Sequence, residues 1–161
     1  SCPRKYGYRL QMFDEWYPMD QHIQSDYYRN LCAFLQSEAL CSWLTAHHYT
    51  LDFKLHPIFA AYADLFQPTC ERVRVIRDAG EIERYEMFIT DFSSFVFDFL
   101  YLGRMVFSYI PDEMQFRCGM NSYREIEPES AAALIRITDA QDFCRKIEDA
   151  AHQQAVITFL D

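Results

Sequence analysis

The stretch Met87-Phe88-Ile89-Thr90-Asp91-Phe92-Ser93-Ser94-Phe95-Val96-Phe97-Asp98-Phe99-Leu100-Tyr101-Leu102-Gly103-Arg104-Met105-Val106-Phe107-Ser108-Tyr109-Ile110 decides the fold. Met87 to Thr90 is a short apolar run of the kind that forms a buried strand. Asp91 is placed to cap a helix from Phe92 to Leu102, since a side-chain oxygen there can accept a first-turn N–H, and Gly103 suits the left-handed residue that closes a helix. Arg104 to Ile110 is rich in β-branched and aromatic residues and reads as the next strand. Strand, helix, strand at this length is a parallel crossover. The run is crowded with phenylalanine, but Asp91, Asp98 and Arg104 are each costly at bilayer depth and Gly103 breaks it, so it is not read as a membrane span.

The same rhythm extends in both directions. Ser25 to His47 carries apolar residues at Tyr28, Leu31, Cys32, Leu35, Ala39, Leu40, Trp43 and Leu44, a spacing that predicts one helix with a buried stripe. Tyr49 to Leu55 predicts a strand ending at His56-Pro57, where proline ends the ladder and can begin a helix over Ile58 to Phe66. Arg72 to Ile76 is a third short strand and Glu81 to Tyr85 a brief helix. Beyond Ile110 the chain is polar and aperiodic as far as Ser130. A strand at Leu134 to Ile137 and a helix from Ala140 to Gln154, capped by Asp139 or Thr138, complete the pattern. Alternating strands and helices imply an α/β, Rossmann-like three-layer sandwich with a mainly parallel sheet. No repeat or linker divides the chain, so residues 1–161 read as a single domain, with 1–24 irregular and 25–161 as the α/β core.

Composition narrows the function. The chain has 161 residues, is 50% hydrophobic and 17% aromatic, and carries a net charge of −9. It has apolar surface enough to fold, and its acidity argues against a nucleic-acid partner, because phosphate-backbone affinity comes mainly from Lys and Arg. The six cysteines show no Cys-x-x-Cys spacing and are read as reduced thiols of a cytoplasmic chain. The histidines are scattered or, at His47-His48, adjacent, and give no metal site. The start, Ser1-Cys2-Pro3-Arg4-Lys5, has no apolar leader and no methionine, which reads as a processed or excised chain.

In an open parallel sheet, ligands lie beyond the carboxyl ends of the strands, which directs attention to His56-Pro57 and to Thr90-Asp91-Phe92-Ser93-Ser94. The second stretch puts two serine hydroxyls at the start of a helix, where unpaired N–H groups and the partial positive charge suit a phosphate. The same residues can equally be plain helix caps, and a histidine after a buried strand is often structural. The four glycines form neither a dinucleotide fingerprint nor a P-loop, and no G-x-S-x-G elbow is present.

Lys54-Leu55-His56-Pro57, then Phe88 through Phe99 with its Thr-Asp-aromatic-Ser-Ser core and Phe97-Asp98-Phe99, then Arg104 through Tyr109 and Asp112, together resemble the carboxyl-terminal part of the CDP-glycerol glycerophosphotransferase family. These are teichoic-acid-type polymerases and primases. The resemblance runs from about Tyr49 to Asp112. Phe92 stands where the family usually has tyrosine, and no proline-glycine pair follows near Glu127.

The resemblance implies the second half of a GT-B fold. Thr90, Ser93 and Ser94, with Lys54 and Arg104 in support, would hold the donor diphosphate of CDP-glycerol or a related CDP-polyol. His56 would be the catalytic residue facing the leaving CMP. Asp91 would cap the helix, and Asp98 would fix it against its neighbours. The acceptor would be a polymer or lipid-linked hydroxyl, with neither metal nor cofactor required. The missing amino-terminal domain of the same protein would supply the acceptor-side base, so that this chain alone is inactive. The family acts in the cytoplasm at the inner face of the cell membrane. Two other readings stay open on the residues: a GT-B nucleotide-sugar glycosyltransferase or epimerase-like domain, and a non-catalytic α/β interaction domain.

Overall fold

The structure, a computed structural model, describes residues 23–91, 93–111 and 134–158. The readings for residues 1–22, for Phe92, for the polar stretch 112–133 and for Cys2, Cys118 and Asp112 lie outside the described residues.

Among the described residues, helices α1 (Asp26–Leu35) and α2 (Glu38–Ala46) come first, then β1 (Leu51–Lys54), a 3-10 segment (Pro57–Leu65) and β2 (Val73–Ile76). A 3-10 turn (Ile82–Arg84), β3 (Met87–Thr90), α3 (Phe95–Tyr101), β4 (Met105–Tyr109), β5 (Leu134–Ile137) and α4 (Ala140–Thr158) follow. All observed strand pairs are parallel: β1 with β2, and β3, β4 and β5 in that order. The α/β, Rossmann-like expectation holds.

Three elements differ from the sequence pattern. The helix expected over Ser25–His47 is two helices, because Ser37 caps α2 by accepting the N–H of Leu40 at 3.4 Å. The apolar spacing runs unbroken across Gln36-Ser37, which hides the break. The helix expected after Pro57 is a nine-residue 3-10 segment. Helix α3 begins at Phe95 with Ser94 as N-cap, so Asp91 lies three residues ahead of the cap it was expected to form. Ser93 Oγ accepts the Phe95 N–H at 3.3 Å and takes over the local role.

Helix ends follow the local chemistry. Gly103, at φ +67, closes α3 as expected, with Gly103 N–H donating to Leu100 O and Arg104 N–H to Phe99 O. The same pair of bonds closes α2, from His48 to Thr45 O and Tyr49 to Leu44 O, but there a histidine holds the left-handed position at φ +59. Asp139 caps α4 by accepting the Asp142 N–H at 2.8 Å, and Asp142 returns a bond from the Thr138 N–H at 3.1 Å.

Side-chain alternation assigns the faces. The odd-numbered strand residues, among them Leu51, Phe53, Val73, Val75, Met87, Ile89, Phe107, Tyr109 and Ile137, enter one large core with α1, α2, α4 and Phe66. Phe143 of α4 meets Phe34, Trp43 and Phe107 within that core. The even-numbered Phe88, Val106 and Leu134 point the other way, into a small cluster with Val96 and Phe99 of α3. Helices on both faces make the three layers.

The cysteines also depart from the expectation of six reduced thiols. Cys41 of α2 and Cys70 ahead of β2 form a disulfide, whereas Cys32 and Cys144 are free. Sequence spacing gave no sign of it because the two cysteines, 29 residues apart, meet only through the crossover between β1 and β2.

Candidate functional site

The site region is built at the carboxyl ends of the strands. Leu55 is buried just past β1, which anchors the chain there and leaves the next residue, His56, exposed. Lys54, the last residue of β1, is exposed as well. At the end of β3, Thr90 and Asp91 are half-buried, followed by half-buried Ser93 and exposed Ser94. The Ser94 side chain makes no capping hydrogen bond.

Topology relates these two loops. The crossover from β1 to β2 packs on the large-core face through Ala63 and Phe66, and that from β3 to β4 packs on the opposite face through Val96 and Phe99. Asp52 of β1 bridges outward in both directions. Its Oδ1 takes Arg74 of β2 at 2.6 Å, and its Oδ2 takes Arg84 at 3.2 Å and the Tyr85 hydroxyl at 2.9 Å, just ahead of β3. Tyr49 donates to Glu86 at 2.6 Å in the same region. These side chains tie β1 to β2 and to the segment ahead of β3, while the backbone ladders form two separate sheets, β1 with β2 and β3 with β4 and β5. Crossovers that diverge onto opposite faces are the mark of a switch point in open α/β sheets, where ligands bind beyond the carboxyl ends of the strands. His56 and the Thr90–Ser94 loop both follow the strands flanking that point.

The other expected site residues fall elsewhere. Arg104 directly precedes β4, whose first residue, Met105, is in register with Met87 at the start of β3. It therefore sits at the amino edge of the strands, donates to Glu83 O at 3.2 Å, and keeps its Nε buried without an acceptor among the described residues. Asp98 is exposed on α3, and the helix is fixed against the sheet by Val96 and Phe99 instead. In a helix this short, 100° per residue turns 96 and 99 inward and 98 outward.

Two features escaped the sequence reading. Ser108 is a buried hydroxyl-bearing residue in register with Thr90, adding a second hydroxyl at the carboxyl edge of the sheet. Only the strand pairing reveals it, because Ser108 lies in an otherwise apolar run. The Asp52 cluster was equally hidden, since its members are separated by up to 33 positions in sequence.

A separate open cleft of about 750 Å³ lies where the ends of β4 and β5 meet the start of α2 and α4, lined by Asn30, Phe34, Glu38, Tyr109, Pro111 and Asp139 among others. Its two carboxylates make it unfavourable for a diphosphate. Nearby, burial works to raise the Asp142 carboxyl, but hydrogen bonds from Lys146, Arg145 and the Thr138 N–H outweigh it and hold the group at about 2. Among the described residues no His, Cys, Asp and Glu cluster could hold a metal ion, and no helix is long and apolar enough to cross a membrane.

A family model described as CDP-Glycerol:Poly(glycerophosphate) glycerophosphotransferase matches residues 20–157. The chain belongs to that family. The match covers every described element from α1 through nearly all of α4, so the two carboxyl-edge loops lie within a glycerophosphotransferase-family domain of GT-B-like class. The family name implies a CDP-glycerol donor and an acceptor, and a transferase as the enzyme class. Among curated proteins and solved structures, none matches the chain.

Proposed function

We propose that this chain is the donor-nucleotide-binding half of a CDP-glycerol, or closely related CDP-polyol, glycerophosphotransferase that builds teichoic-acid or similar cell-surface polymer. The family match over residues 20–157 carries the reading. The position of His56 and the Thr90–Ser94 loop beyond the strands at the switch point supports it. In this reading Thr90, Ser93 and Ser94 donate hydrogen bonds to the donor diphosphate, and Lys54 contributes a nearby positive charge. An acceptor hydroxyl attacks the phosphorus that bears the polyol, the bond from that phosphorus to the CMP oxygen breaks, and CMP leaves with the electron pair. His56 hydrogen-bonds to or protonates a phosphate oxygen as charge builds on the leaving group. Such a transfer depends chiefly on positioning and charge stabilisation.

The base that deprotonates the acceptor belongs, in this reading, to an amino-terminal half of the same protein. The acceptor is a polymer or lipid-linked hydroxyl presented at the inner face of the membrane. Residues 1–161 form one lobe, and the cleft is completed by the other.

Calorimetric titration of CDP-glycerol, CDP-ribitol and a UDP-sugar against the chain tests the proposal. CDP-polyols are expected to bind, and Ser93→Ala with Ser94→Ala to weaken them by roughly tenfold or more, the effect of losing hydrogen bonds to a charged group worth about 1.5 kcal/mol or more. Preference for the UDP-sugar would move the chain to the nucleotide-sugar class. Steady CMP release by the chain alone would overturn its assignment as half an enzyme.

A further inference from the structure

The crossover that carries His56 is weakly self-supported. Its Pro57–Leu65 portion is nine residues of 3-10 helix, where runs beyond three or four residues are uncommon because the i to i+3 bonds are poorly aligned. Its restraint comes from outside. The Tyr28 hydroxyl of α1 donates to Leu65 O at 3.0 Å, Gln36 Nε2 donates to Gln67 O at 3.0 Å, and the Phe66 ring packs against Tyr28 and Phe53. The only covalent restraint among the described residues is the bond from Cys41 of α2 to Cys70, with 5.7 Å between Cα atoms. That bond closes a ring containing β1, His56 and the whole 3-10 segment.

We infer that the Cys41–Cys70 disulfide is a redox-controlled staple, and that its reduction loosens the crossover from His56 to Cys70 while the β3–β4–β5 sheet stays ordered. The two sheets allow this division. The three-stranded sheet has packing of its own outside the closed ring, Phe88 and Val106 with Val96 and Phe99 of α3 and Phe107 on Phe143 of α4, while it shares the larger core with Trp43, Leu55, Ala63 and Phe66 of the ring. The exchange is a two-electron step with a dithiol. One reductant thiolate attacks a sulfur of the bond, and the second displaces the mixed disulfide. Cys41 and Cys70 are left as thiols carrying two protons, and the reductant becomes a cyclic disulfide. Cys41 is half-buried and Cys70 buried, so the bond is reached from the Cys41 side. Burial pushes the free Cys32 and Cys144 thiols up, which makes them poor internal attackers and favours an external reductant.

The test compares the full chain equilibrated in oxidised glutathione with the same chain in dithiothreitol, by disulfide mapping, peptide-resolved hydrogen exchange and thermal melting. The oxidised chain is expected to yield a linked Cys41–Cys70 peptide pair. Reduction is expected to speed exchange over residues 55–69 about tenfold or more, to leave residues 134–147 unchanged, and to lower Tm by roughly 5–10 °C. Cys41→Ser and Cys70→Ser should behave as the reduced chain under both conditions. Free thiols at both positions in the oxidised chain, or equal exchange over residues 55–69 in the two states, would overturn the inference. No nucleotide enters these measurements, so they stand or fall independently of the proposed donor site.

Discussion

The two faces of the strand layer are built to different depths. The face covered by α1, α2 and α4 packs Phe34, Trp43, Phe107 and Phe143 into one aromatic core, whereas the other is covered, among the described residues, by the seven-residue α3 through Val96 and Phe99. The thin face also carries the Asp52 ion-pair cluster and, on α3, the exposed Phe95, Phe97 and Tyr101. The contrast teaches a division of labour. The deep face holds the chain folded, and the shallow one carries the loop proposed to meet the donor, where tight packing would leave no room for a ligand to be admitted.

The largest effect should come from emptying the deep face. Phe107→Ala removes a fully buried ring lying edge-on to Phe143, and a loss of about 3–5 kcal/mol is expected in chemical denaturation, enough to leave much of the chain unfolded. Phe99→Ala on the shallow face removes the partner stacked on Phe88 at 4.3 Å, and should cost less, about 3 kcal/mol, with faster exchange confined to α3. Equal losses from the two variants would erase the distinction between the faces.

Smaller changes sharpen it. Asp52→Asn withdraws the charge that joins Arg74 to Arg84, but both arginines are more than half exposed, at 57% and 55%, so a loss of about 1–2 kcal/mol is expected rather than that of a fully buried pair. On the deep side, Asp142 is held at about 2 against an ordinary 3.8. A depressed carboxyl contributes stability present above pH 3.8 and lost as pH falls toward 2. Melting of the parent and of Asp142→Asn across that interval should show a pH-dependent gap that closes at the acid end. Smallest is His48→Gly, which relieves a left-handed histidine and should raise stability by about 0.5–1 kcal/mol, visible as a slightly higher Tm.

Much of this was legible in the residues. Strands around Val73, Ile89, Phe107 and Ile135 are short apolar runs bounded by polar or breaking residues, and such runs have few alternatives once a crossover is identified. Gly103 marked the end of α3 because glycine takes a positive φ without the strain His48 bears in the same role, and Asp139 or Thr138 marked the start of α4, of which Asp139 is the cap. What failed did so because the deciding contact was distant or small. The break at Ser37 rests on one hydroxyl within an unbroken apolar stripe. The Cys41–Cys70 bond and the Asp52 cluster depend on which strands become neighbours, which no local window contains. For the site, the positions of His56, Thr90, Ser93 and Ser94 past their strands followed from the pattern. Arg104, carried over from the family resemblance, lies at the amino edge of the strands instead, which only the pairing of Met105 with Met87 reveals.

The alternation that sorts the strand residues onto two faces also sets which changes of chain length this protein can absorb. A residue deleted inside β4 would exchange Phe107 for Ser108 against the deep core and send an aromatic ring to the shallow side, whereas a residue removed between Arg77 and Gly80 leaves every strand in phase. In the drift of related sequences, then, gaps should gather in the connections and leave the described strands untouched, even where the individual letters within them have changed.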